Sequence, residues 1–172
     1  MAPFAGEPMI ARILDATDGI FSRRVVVTRH ADAAAYCRSR GLEVLLHTLP
    51  HRSDTVRLGL ETMPQCRFCM FCPADQPLLR HSTVASLARS AAEAPEFIWR
   101  PAFGGQPGAP IVFPQWAYPE LLNLPEGKGG GVLAQKYPHL VRIIPIREEW
   151  ELMDADTPEA LRFLENKISG RD

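Results

Sequence analysis

Predicted strands and helices alternate through the first half of this chain, and this alternation restricts its fold more than any other feature. Short β-branched or apolar runs predict strands over 24–28, 42–48 and 67–72. Apolar residues at helical spacing predict helices over 7–18, 31–40, 53–61 and 81–94. Ser53 or Asp54 is a plausible N-cap of the third helix, and Ser82 of the fourth. Such alternation is typical of a mostly parallel central sheet flanked by helices, which is the α/β class.

The second half of the chain has shorter elements and longer loops. Strands are predicted over 97–100, 111–113 and 140–145, and helical segments over 119–122, 132–136 and 158–167. The loops are rich in Gly and Pro, and long loops over a rigid sheet usually carry substrate contacts. No linker or internal repeat divides the 172 residues, so the sequence predicts a single domain over 1–172.

An acidic residue follows the strand predicted over 67–72. The apolar run gives way to Pro73-Ala74-Asp75-Gln76-Pro77, so a proline ends the strand and a carboxylate comes next. Folds of the α/β class bind ligands at the carboxyl ends of their strands. A carboxylate placed there beside a nucleotide most often holds Mg²⁺. Asp75 is therefore a candidate Mg²⁺ ligand, and a plain turn aspartate is the alternative.

A second acidic cluster, Asp154-Ala155-Asp156-Thr157-Pro158, lies far downstream and could close the same site. Two carboxylates at strand-to-helix junctions suit a Mg²⁺ ion that neutralises nucleotide phosphates and keeps some of its waters. Asp156 is the second candidate Mg²⁺ ligand. The same stretch also suits a helix N-terminus, with Asp156 or Thr157 as the cap, and both interpretations can hold together.

Two basic side chains are weaker candidates for binding anions. Lys128 lies in the glycine loop over 126–131, whose backbone N–H groups could approach an anion, although the Walker A spacing is absent. Arg57 lies on the helix predicted over 53–61 and could hold a base, sugar or phosphate. The alternatives are a solvated loop for Lys128 and a solvated helix face for Arg57.

Charge and hydropathy exclude several classes of function. The formal net charge of −1 gives no electrostatic footprint for nucleic acid. No apolar run approaches the ~20 residues that a membrane span needs, and the N-terminus lacks the pattern of a signal peptide. We therefore expect a cytoplasmic protein with no nucleic-acid or membrane partner.

The cysteines raise the question of a metal cluster, because Cys66, Cys69 and Cys72 are spaced like cluster ligands and Cys37 could be a fourth. However, they fall on or beside a predicted strand, where successive side chains alternate between the two faces. Cys69 would then point away from Cys66 and Cys72. Buried free thiols in a reducing compartment are the preferred interpretation.

Four segments, taken together, resemble a known family. They are Gly6-Glu7-Pro8-Met9-Ile10, Ala74-Asp75-Gln76-Pro77-Leu78-Leu79, Gly105-Gln106-Pro107-Gly108-Ala109-Pro110-Ile111-Val112-Phe113 and Glu151-Leu152-Met153-Asp154-Ala155-Asp156-Thr157-Pro158-Glu159. In order and spacing they resemble the molybdenum cofactor cytidylyltransferases of the MobA-like NTP-transferase superfamily. Each motif is moderately specific alone, and the ordered set of four is much more specific.

The resemblance implies a Rossmann-like nucleotidyltransferase fold and transfer of CMP from CTP to the phosphate of a molybdopterin cofactor. Asp75 and Asp156 would be the metal-binding acids, with Mg²⁺ as the cofactor. Gly108 and Pro110 would lie near the pterin substrate. Apart from the resemblance, Gln76 and Arg57 are candidate nucleotide contacts, and Lys128 is a candidate substrate-binding residue. A homodimer or a molybdenum hydroxylase partner stays open.

The sequence departs from the resembled family at its start. Family members open with a strand and a Leu-Ala-Ala-Gly-x-Ser-x-Arg-Met-Gly loop that cradles the NTP phosphates, whereas Met1-Ala2-Pro3-Phe4 matches the segment after that loop. The first strand is thus expected to be missing from the centre of the sheet, and the 172-residue form is expected to lack transferase activity. A misassigned start codon is the favoured explanation, with a natural truncation or a strand supplied by a partner chain as the others.

Two other functions are kept as alternatives. One is a non-catalytic remnant that binds the cofactor or a partner protein, and the other is a sugar-phosphate nucleotidyltransferase of the same fold. Nucleotide binding with and without Mg²⁺ separates the first alternative from an enzyme. Different nucleotides and acceptors separate the second.

Overall fold

The computed structural model describes residues 3–63 and 65–169, which form an α/β fold with strands in three sheets. The described strands are β1 (Pro3–Phe4), β2 (Glu7–Pro8), β3 (Val25–Thr28), β4 (Glu43–Leu46), β5 (Phe68–Phe71), β6 (Ile98–Phe103), β7 (Gln106–Pro107), β8 (Ile111–Pro114) and β9 (Val141–Pro145). The described α-helices are α1 (Met9–Ala16), α2 (Ala31–Ser39), α3 (Arg52–Glu61), α4 (His81–Glu93), α5 (Tyr118–Leu122), α6 (Gly131–Lys136) and α7 (Pro158–Ser169). Among the described residues, three short 3₁₀ turns lie at Gln115–Ala117, Pro138–Leu140 and Glu149–Leu152.

The predicted α/β class is confirmed, and the sheets are mixed in direction. β3 and β4 form a parallel pair, and β9 runs parallel to β6. β8 runs antiparallel to both β5 and β6. β8 is antiparallel to β6 because the chain reverses in a short turn after β6. In this turn Gly104 and Gly105 adopt positive φ angles of 54° and 82°, and the chain folds back through β7.

The observed element bounds correct three local predictions. The first helix begins at Met9 instead of Glu7, because Glu7–Pro8 pairs with β1 across a turn at Ala5 and Gly6. α3 begins at Arg52, and neither Ser53 nor Asp54 is its N-cap, because Asp54 lies inside the first turn and its carboxylate accepts the His51 N–H at 3.2 Å. α4 begins at His81, so Ser82 is not its N-cap.

Apolar packing places helices on both faces of the five-stranded sheet. On one face, α3, α5 and α6 pack on Phe113 and Cys69, and the Phe71 ring meets Phe113 edge-on at 5.9 Å. On the other face, Leu87 of α4 packs on Val112. In α/β folds ligands bind at the carboxyl ends of strands, which makes the carboxyl end of β5 and the loops around it a candidate binding region.

The four cysteines are free thiols, with Cys37 and Cys69 buried. Burial raises the pKa of Cys69 and of Cys72 to about 12, so both thiols are protonated at neutral pH. Within residues 3–63 and 65–169, no three His, Cys, Asp or Glu side chains converge as a ready-made metal cage. None of the described helices is long and apolar enough to cross a bilayer.

Candidate active site

The two acidic segments lie side by side. Asp75 follows β5 by a few residues, and its backbone carbonyl accepts the Ala155 N–H at 2.7 Å. Ala155 separates Asp154 from Asp156 in the sequence, so this one hydrogen bond brings both downstream carboxyl groups to the carboxyl end of β5. The structure thus joins the strand-end carboxylate to the distant acidic cluster.

The side chain of Gln76 links these two segments by hydrogen bonds. Its side chain is 3% exposed, and Nε2 donates to the Leu152 carbonyl at 3.0 Å and to Asp154 Oδ1 at 2.9 Å. Its Oε1 atom is buried and has no hydrogen-bond partner among the described residues. Gln76 therefore positions the downstream acids and keeps one unused acceptor.

The surroundings of Asp75 disfavour the ionised form of its carboxyl group. Partial burial is the main factor that raises the pKa of its carboxyl group, the negative charge of Asp154 adds to it, and Asp156 contributes a smaller effect of the same sign. The positive charge of Arg52 opposes the rise without cancelling it. Three carboxyl groups with one nearby guanidinium form a local excess of negative charge, which a bound cation would relieve.

Asp156 is not the residue that caps the final helix. The Thr157 hydroxyl accepts the Ala160 N–H at 3.1 Å, and its carbonyl accepts the Leu161 N–H at 2.9 Å, so Thr157 is the N-cap of α7. Asp156 is exposed and has no hydrogen-bond or ion-pair partner among the described residues. Its carboxylate remains available to a ligand.

A buried glutamate supports the segment that carries these acids. Glu151 is 1% exposed, and its carboxylate accepts the Arg80 N–H at 3.3 Å and lies 3.7 Å from the Arg80 guanidinium. The Arg80 guanidinium also stacks on the Trp150 ring at 4.9 Å from its centre. These contacts fix the chain immediately before Asp154.

The loop with the candidate residues Gly108 and Pro110 lies against the same segment. A Cβ atom on Gly108 would lie 2.6 Å from Leu152 Cδ1, so only glycine allows this close approach. Arg100 Nε donates to the Gly108 carbonyl at 2.9 Å and fixes the loop from the other side. Pro110 follows a cis peptide bond and is fully buried, so it shapes the loop and presents no surface to a substrate.

The glycine loop that contains Lys128 packs beside Arg52. A Cβ atom on Gly129 would lie 2.9 Å from Arg52 Nε, and His51 Nε2 lies 3.6 Å from the Glu126 carboxylate. Lys128 is exposed, and its ammonium group has no ion-pair partner among the described residues. Through Arg52, this loop borders the acidic site.

Arg57 lies in a different environment. Its guanidinium is 3.4 Å from the Asp54 carboxylate and 3.3 Å from that of Glu61, both on the same helix. These contacts raise the pKa of Arg57 and occupy the side chain on the helix surface. The structure places Arg52, five residues earlier, as the arginine that acts on Asp75.

Sequence reasoning therefore missed Arg52 as a site residue. Arg52 is the first residue of α3, immediately after the connection from β4, and so comes from the same kind of strand-to-helix junction as Asp75. This place at a strand-to-helix junction was the sequence signal that could have identified Arg52. The ion pairs of Arg57 follow from its i−3 and i+4 spacing to Asp54 and Glu61, which is also visible in the sequence.

The donor set fits a hard divalent cation. Asp75, Asp154 and Asp156 offer carboxylate oxygens, which Mg²⁺ and Mn²⁺ prefer. Magnesium usually takes only one or two carboxylates and completes its coordination with water and substrate phosphate. An incomplete protein cage at this edge is compatible with that pattern.

Comparison with known proteins gives one family and many structures of the same fold. The family model for the MobA-like NTP transferase domain matches residues 1–141. The second acidic segment lies beyond the matched residues. The solved structures that resemble this chain include nucleotidyltransferases of several substrates.

Rv0371c from Mycobacterium tuberculosis H37Rv, solved in complex with manganese, has a TM-score of 0.80 and 20% identity, over 96% of this chain and 90% of that one. CMP:2-keto-3-deoxy-manno-octonic acid synthetase complexed with CTP has a TM-score of 0.81 and 11% identity, over 99% and 91%. Molybdopterin-guanine dinucleotide biosynthesis protein A from Archaeoglobus fulgidus has a TM-score of 0.73 and 18% identity, over 98% and 89%. At these identities the likeness establishes the nucleotidyltransferase fold.

Proposed function

Because the chain belongs to the MobA-like NTP transferase domain family, we propose that it binds an NTP and a divalent cation at the edge where Asp75 lies. The observation that carries this proposal is the juxtaposition of Asp75 with Asp154 and Asp156, two carboxylates from a segment far along the chain. Partial burial, with the negative charge of these two carboxylates added to it, raises the pKa of Asp75, and the combined negative charge favours a cation.

We assign the metal ligands as Asp75 and Asp156, with Mg²⁺ as the ion. Bound Mg²⁺ would supply charge neutralisation for the phosphates. Gln76 holds the Asp154 segment in place. Its Oε1 is buried, so Gln76 contributes to nucleotide binding by positioning the acids. Lys128 and Arg52 flank the site as sources of positive charge for phosphate oxygens.

The nucleotide and the acceptor are proposed as CTP and the phosphate of a molybdopterin. The four-segment resemblance supports this pair. One structural neighbour was solved in complex with CTP, and another is a molybdopterin-guanine dinucleotide biosynthesis protein. The Gly108 loop, packed on Leu152, is the proposed acceptor side of the site.

The proposed transfer requires little covalent chemistry from the protein side chains. An oxygen of the acceptor phosphate attacks the α-phosphorus of CTP, a new P–O bond forms, and the bond from the α-phosphorus to the bridging oxygen breaks. Pyrophosphate leaves with the bonding electrons. The residues of the site contribute by holding the two phosphates in line and by screening their charge.

Calorimetry with the 172-residue chain tests the binding part. We expect CTP to bind in the presence of Mg²⁺, with weaker binding of GTP and UTP, and EDTA to abolish it. Asp75→Asn should lose the Mg²⁺-dependent binding. Asp15→Asn, which removes an exposed carboxylate that pairs with Arg40 elsewhere, should keep it. Absence of any Mg²⁺-dependent nucleotide binding would favour the non-catalytic remnant.

Transfer is measured separately from binding. Pyrophosphate release is assayed with the 172-residue chain, because binding of CTP alone does not demonstrate transfer of CMP. Pyrophosphate release with a molybdopterin acceptor is the readout. Release with a sugar-phosphate acceptor instead would favour the sugar-phosphate alternative.

A further inference from the structure

Arg100 of β6 is a partly buried cation whose protein partners are all neutral. Its Nε atom donates to the Gly108 carbonyl at 2.9 Å, and its Nη2 atom donates to the Pro107 carbonyl at 3.3 Å. Burial lowers the pKa of Arg100, because no carboxylate among the described residues offsets the desolvation of its charge. The N–H groups of Nη1 have no acceptor within residues 3–63 and 65–169. An anionic ligand would supply both the missing charge and the missing acceptor.

Other arginines that bond to backbone carbonyls have their charge compensated. Arg24 donates to a carbonyl of α1, and the Asp18 carboxylate lies 2.6 Å from its guanidinium. Arg142 of β9 also donates to backbone carbonyls, and its guanidinium lies over the Phe97 ring at 3.7 Å from the ring centre. The environment of Arg100 therefore differs from that of an arginine which only supports a loop.

An exposed isoleucine lies next to Arg100 on the same face of the sheet. In the parallel pairing of β6 with β9, Arg100 is in register with Ile143. Ile98 and Val141 both pack in the core cluster of α3, α5 and α6, and a side chain two residues further along each strand points to the same face. Ile143 is 43% exposed. This part of the sheet thus presents an apolar side chain beside a cation.

The register of the strands relates Arg100 to the acidic site. Ile111 of β8 is in register with Phe71, the last residue of β5, and it lies opposite Arg100 on its other side. Two strand spacings therefore separate the backbone of Arg100 from that of Phe71, which is about 10 Å. Asp75 follows Phe71 by four residues. A small molecule that reaches the acidic site with one end can contact Arg100 with the other.

We propose that Arg100 binds an oxyanion of the acceptor substrate, with Ile143 as the apolar contact beside it. This inference rests on the proposed function, which places the acceptor on the side of the Gly108 loop. The oxyanion is a carboxylate or phosphate separate from the group that attacks the nucleotide, because Arg100 lies two strands away from the end of β5. The acceptor class is therefore a molecule with an anionic group at each end and an apolar part next to the distal one.

Support of the Gly108 loop is the competing role for Arg100. That role requires a hydrogen-bond donor and no charge, because both of its acceptors are backbone carbonyls. Glutamine keeps a donor and removes the charge, whereas lysine keeps both a donor and the charge. Arg100→Gln and Arg100→Lys therefore separate the two roles, since a purely structural residue would tolerate both changes alike.

Small aromatic anions test the site directly in the 172-residue chain, without nucleotide and with EDTA present. The probes are phenyl phosphate and benzoate at constant ionic strength, and benzyl alcohol is the uncharged control. We expect saturable shifts of the Arg100 Nε–H signal and of the Ile143 methyl signals in NMR spectra. The Arg142 signal should stay unchanged, because that side chain points to the opposite face of the sheet. Saturation by either anion supports the proposal, and the tighter one identifies the oxyanion.

Variants then assign the response to charge and to apolar contact. Arg100→Gln should abolish the anion-dependent shift of the Ile143 methyl signals, Arg100→Lys should retain it, and Arg142→Gln should leave it unchanged. Ile143→Ser should weaken phenyl phosphate about 5-fold and leave inorganic phosphate unaffected, both read at the Arg100 signal. Equal responses in Arg100→Gln and Arg100→Lys would overturn the proposal, as would an equal shift with benzyl alcohol.

The same protein distinguishes failure of this inference from failure of the proposed function. The anion response of Arg100 is measured without metal, whereas the proposed function is tested by Mg²⁺-dependent CTP binding. Normal CTP binding with no anion response at Arg100 would refute the oxyanion site alone. An anion response at Arg100 in a chain that does not bind CTP would support the oxyanion site and refute the proposed function.

Discussion

Asp75 illustrates how a binding residue can weaken the fold that carries it. Its pKa is raised, so the folded state binds the proton more tightly than the unfolded state. Stability therefore falls as pH rises from the usual aspartate value of 3.8 through the higher folded value. At neutral pH without metal, the ionised carboxylate destabilises the protein.

We therefore expect Asp75→Asn to raise the melting temperature at pH 7 in EDTA. The carboxylate is partly exposed, which screens the effect, so the gain should be at most ~1 kcal/mol, or roughly 2–4 °C. At pH 3, where the wild-type carboxyl is protonated, the two proteins should melt together. Added Mg²⁺ should then stabilise the wild type and not the variant. Scanning calorimetry at both pH values is the measurement, and a less stable variant at pH 7 would contradict it.

Asp156 and Thr157 have separable roles, which a pair of variants resolves. Thr157→Ala removes the N-cap hydrogen bond of α7 and should cost ~1 kcal/mol of stability with little change in metal affinity. Asp156→Asn should leave stability almost unchanged and weaken Mg²⁺-dependent CTP binding. Urea unfolding and calorimetry read the two effects. If Asp156→Asn lowered stability and left binding unchanged, the result would contradict the metal role and indicate that Asp156 caps α7.

The same residues show what the sequence could predict about the site. Asp75 and the acidic segment of Asp156 were both predictable, because a proline-ended strand and an Asp-rich helix start are local patterns. The importance of Arg52 was not, because it depends on the position of the β4–α3 junction beside Asp75 in three dimensions. Gln76 was predicted as a nucleotide contact, and its bond to Asp154 is a long-range fact that no local pattern contains.

At the scale of elements, the glycine loop before α6 sets the position of Arg52. Gly129 leaves only enough space for the Arg52 side chain, because an added Cβ would come within 2.9 Å of Nε. Gly131, two residues later, has open space around its Cβ position and begins α6. These two glycines provide a matched pair for substitution.

We expect Gly129→Ala to displace the Arg52 guanidinium from Asp75 and to weaken Mg²⁺-dependent CTP binding on the order of 5-fold, equivalent to ~1 kcal/mol. Gly131→Ala should bind CTP normally and be slightly more stable, by up to ~1 kcal/mol, because alanine is the better helix former. Calorimetry and thermal melting of both variants check this. Equal loss of binding in both would show that loop flexibility, and not Arg52, is what matters.

The elements themselves were largely predictable, and their sheet pairing was not. Strands such as Val25–Thr28 and helices such as α4 lie within a residue or two of the predicted bounds, because β-branched runs and helical spacing are local properties. The antiparallel direction of β8 depends on the return through Gly104 and Gly105.

At the scale of the whole molecule, the end of the described chain packs on its beginning. Phe4, Met9 and Leu164 form one cluster, and Ala5 donates its N–H to Glu165 Oε1 at 3.1 Å. α7 follows directly after Asp156 and Thr157, so its docking on the first turn and on α1 also fixes the acidic segment. The match to the family model ends at residue 141, ahead of this helix.

This packing predicts that a core change in α7 affects metal binding at a distance. Leu164 is 0% exposed, and Leu164→Ala should cost about 2–4 kcal/mol and lower the melting temperature by roughly 5–15 °C. Local loosening of α7 should then weaken Mg²⁺-dependent CTP binding, because Asp156 loses its support. Phe163→Ala, the adjacent residue with 43% exposure, should cost less than ~1 kcal/mol and leave binding intact. Binding measured well below each melting temperature separates a local effect on the site from global unfolding. A Leu164→Ala protein with wild-type affinity would show that the Ala155–Asp75 hydrogen bond and Gln76 hold the acids without α7.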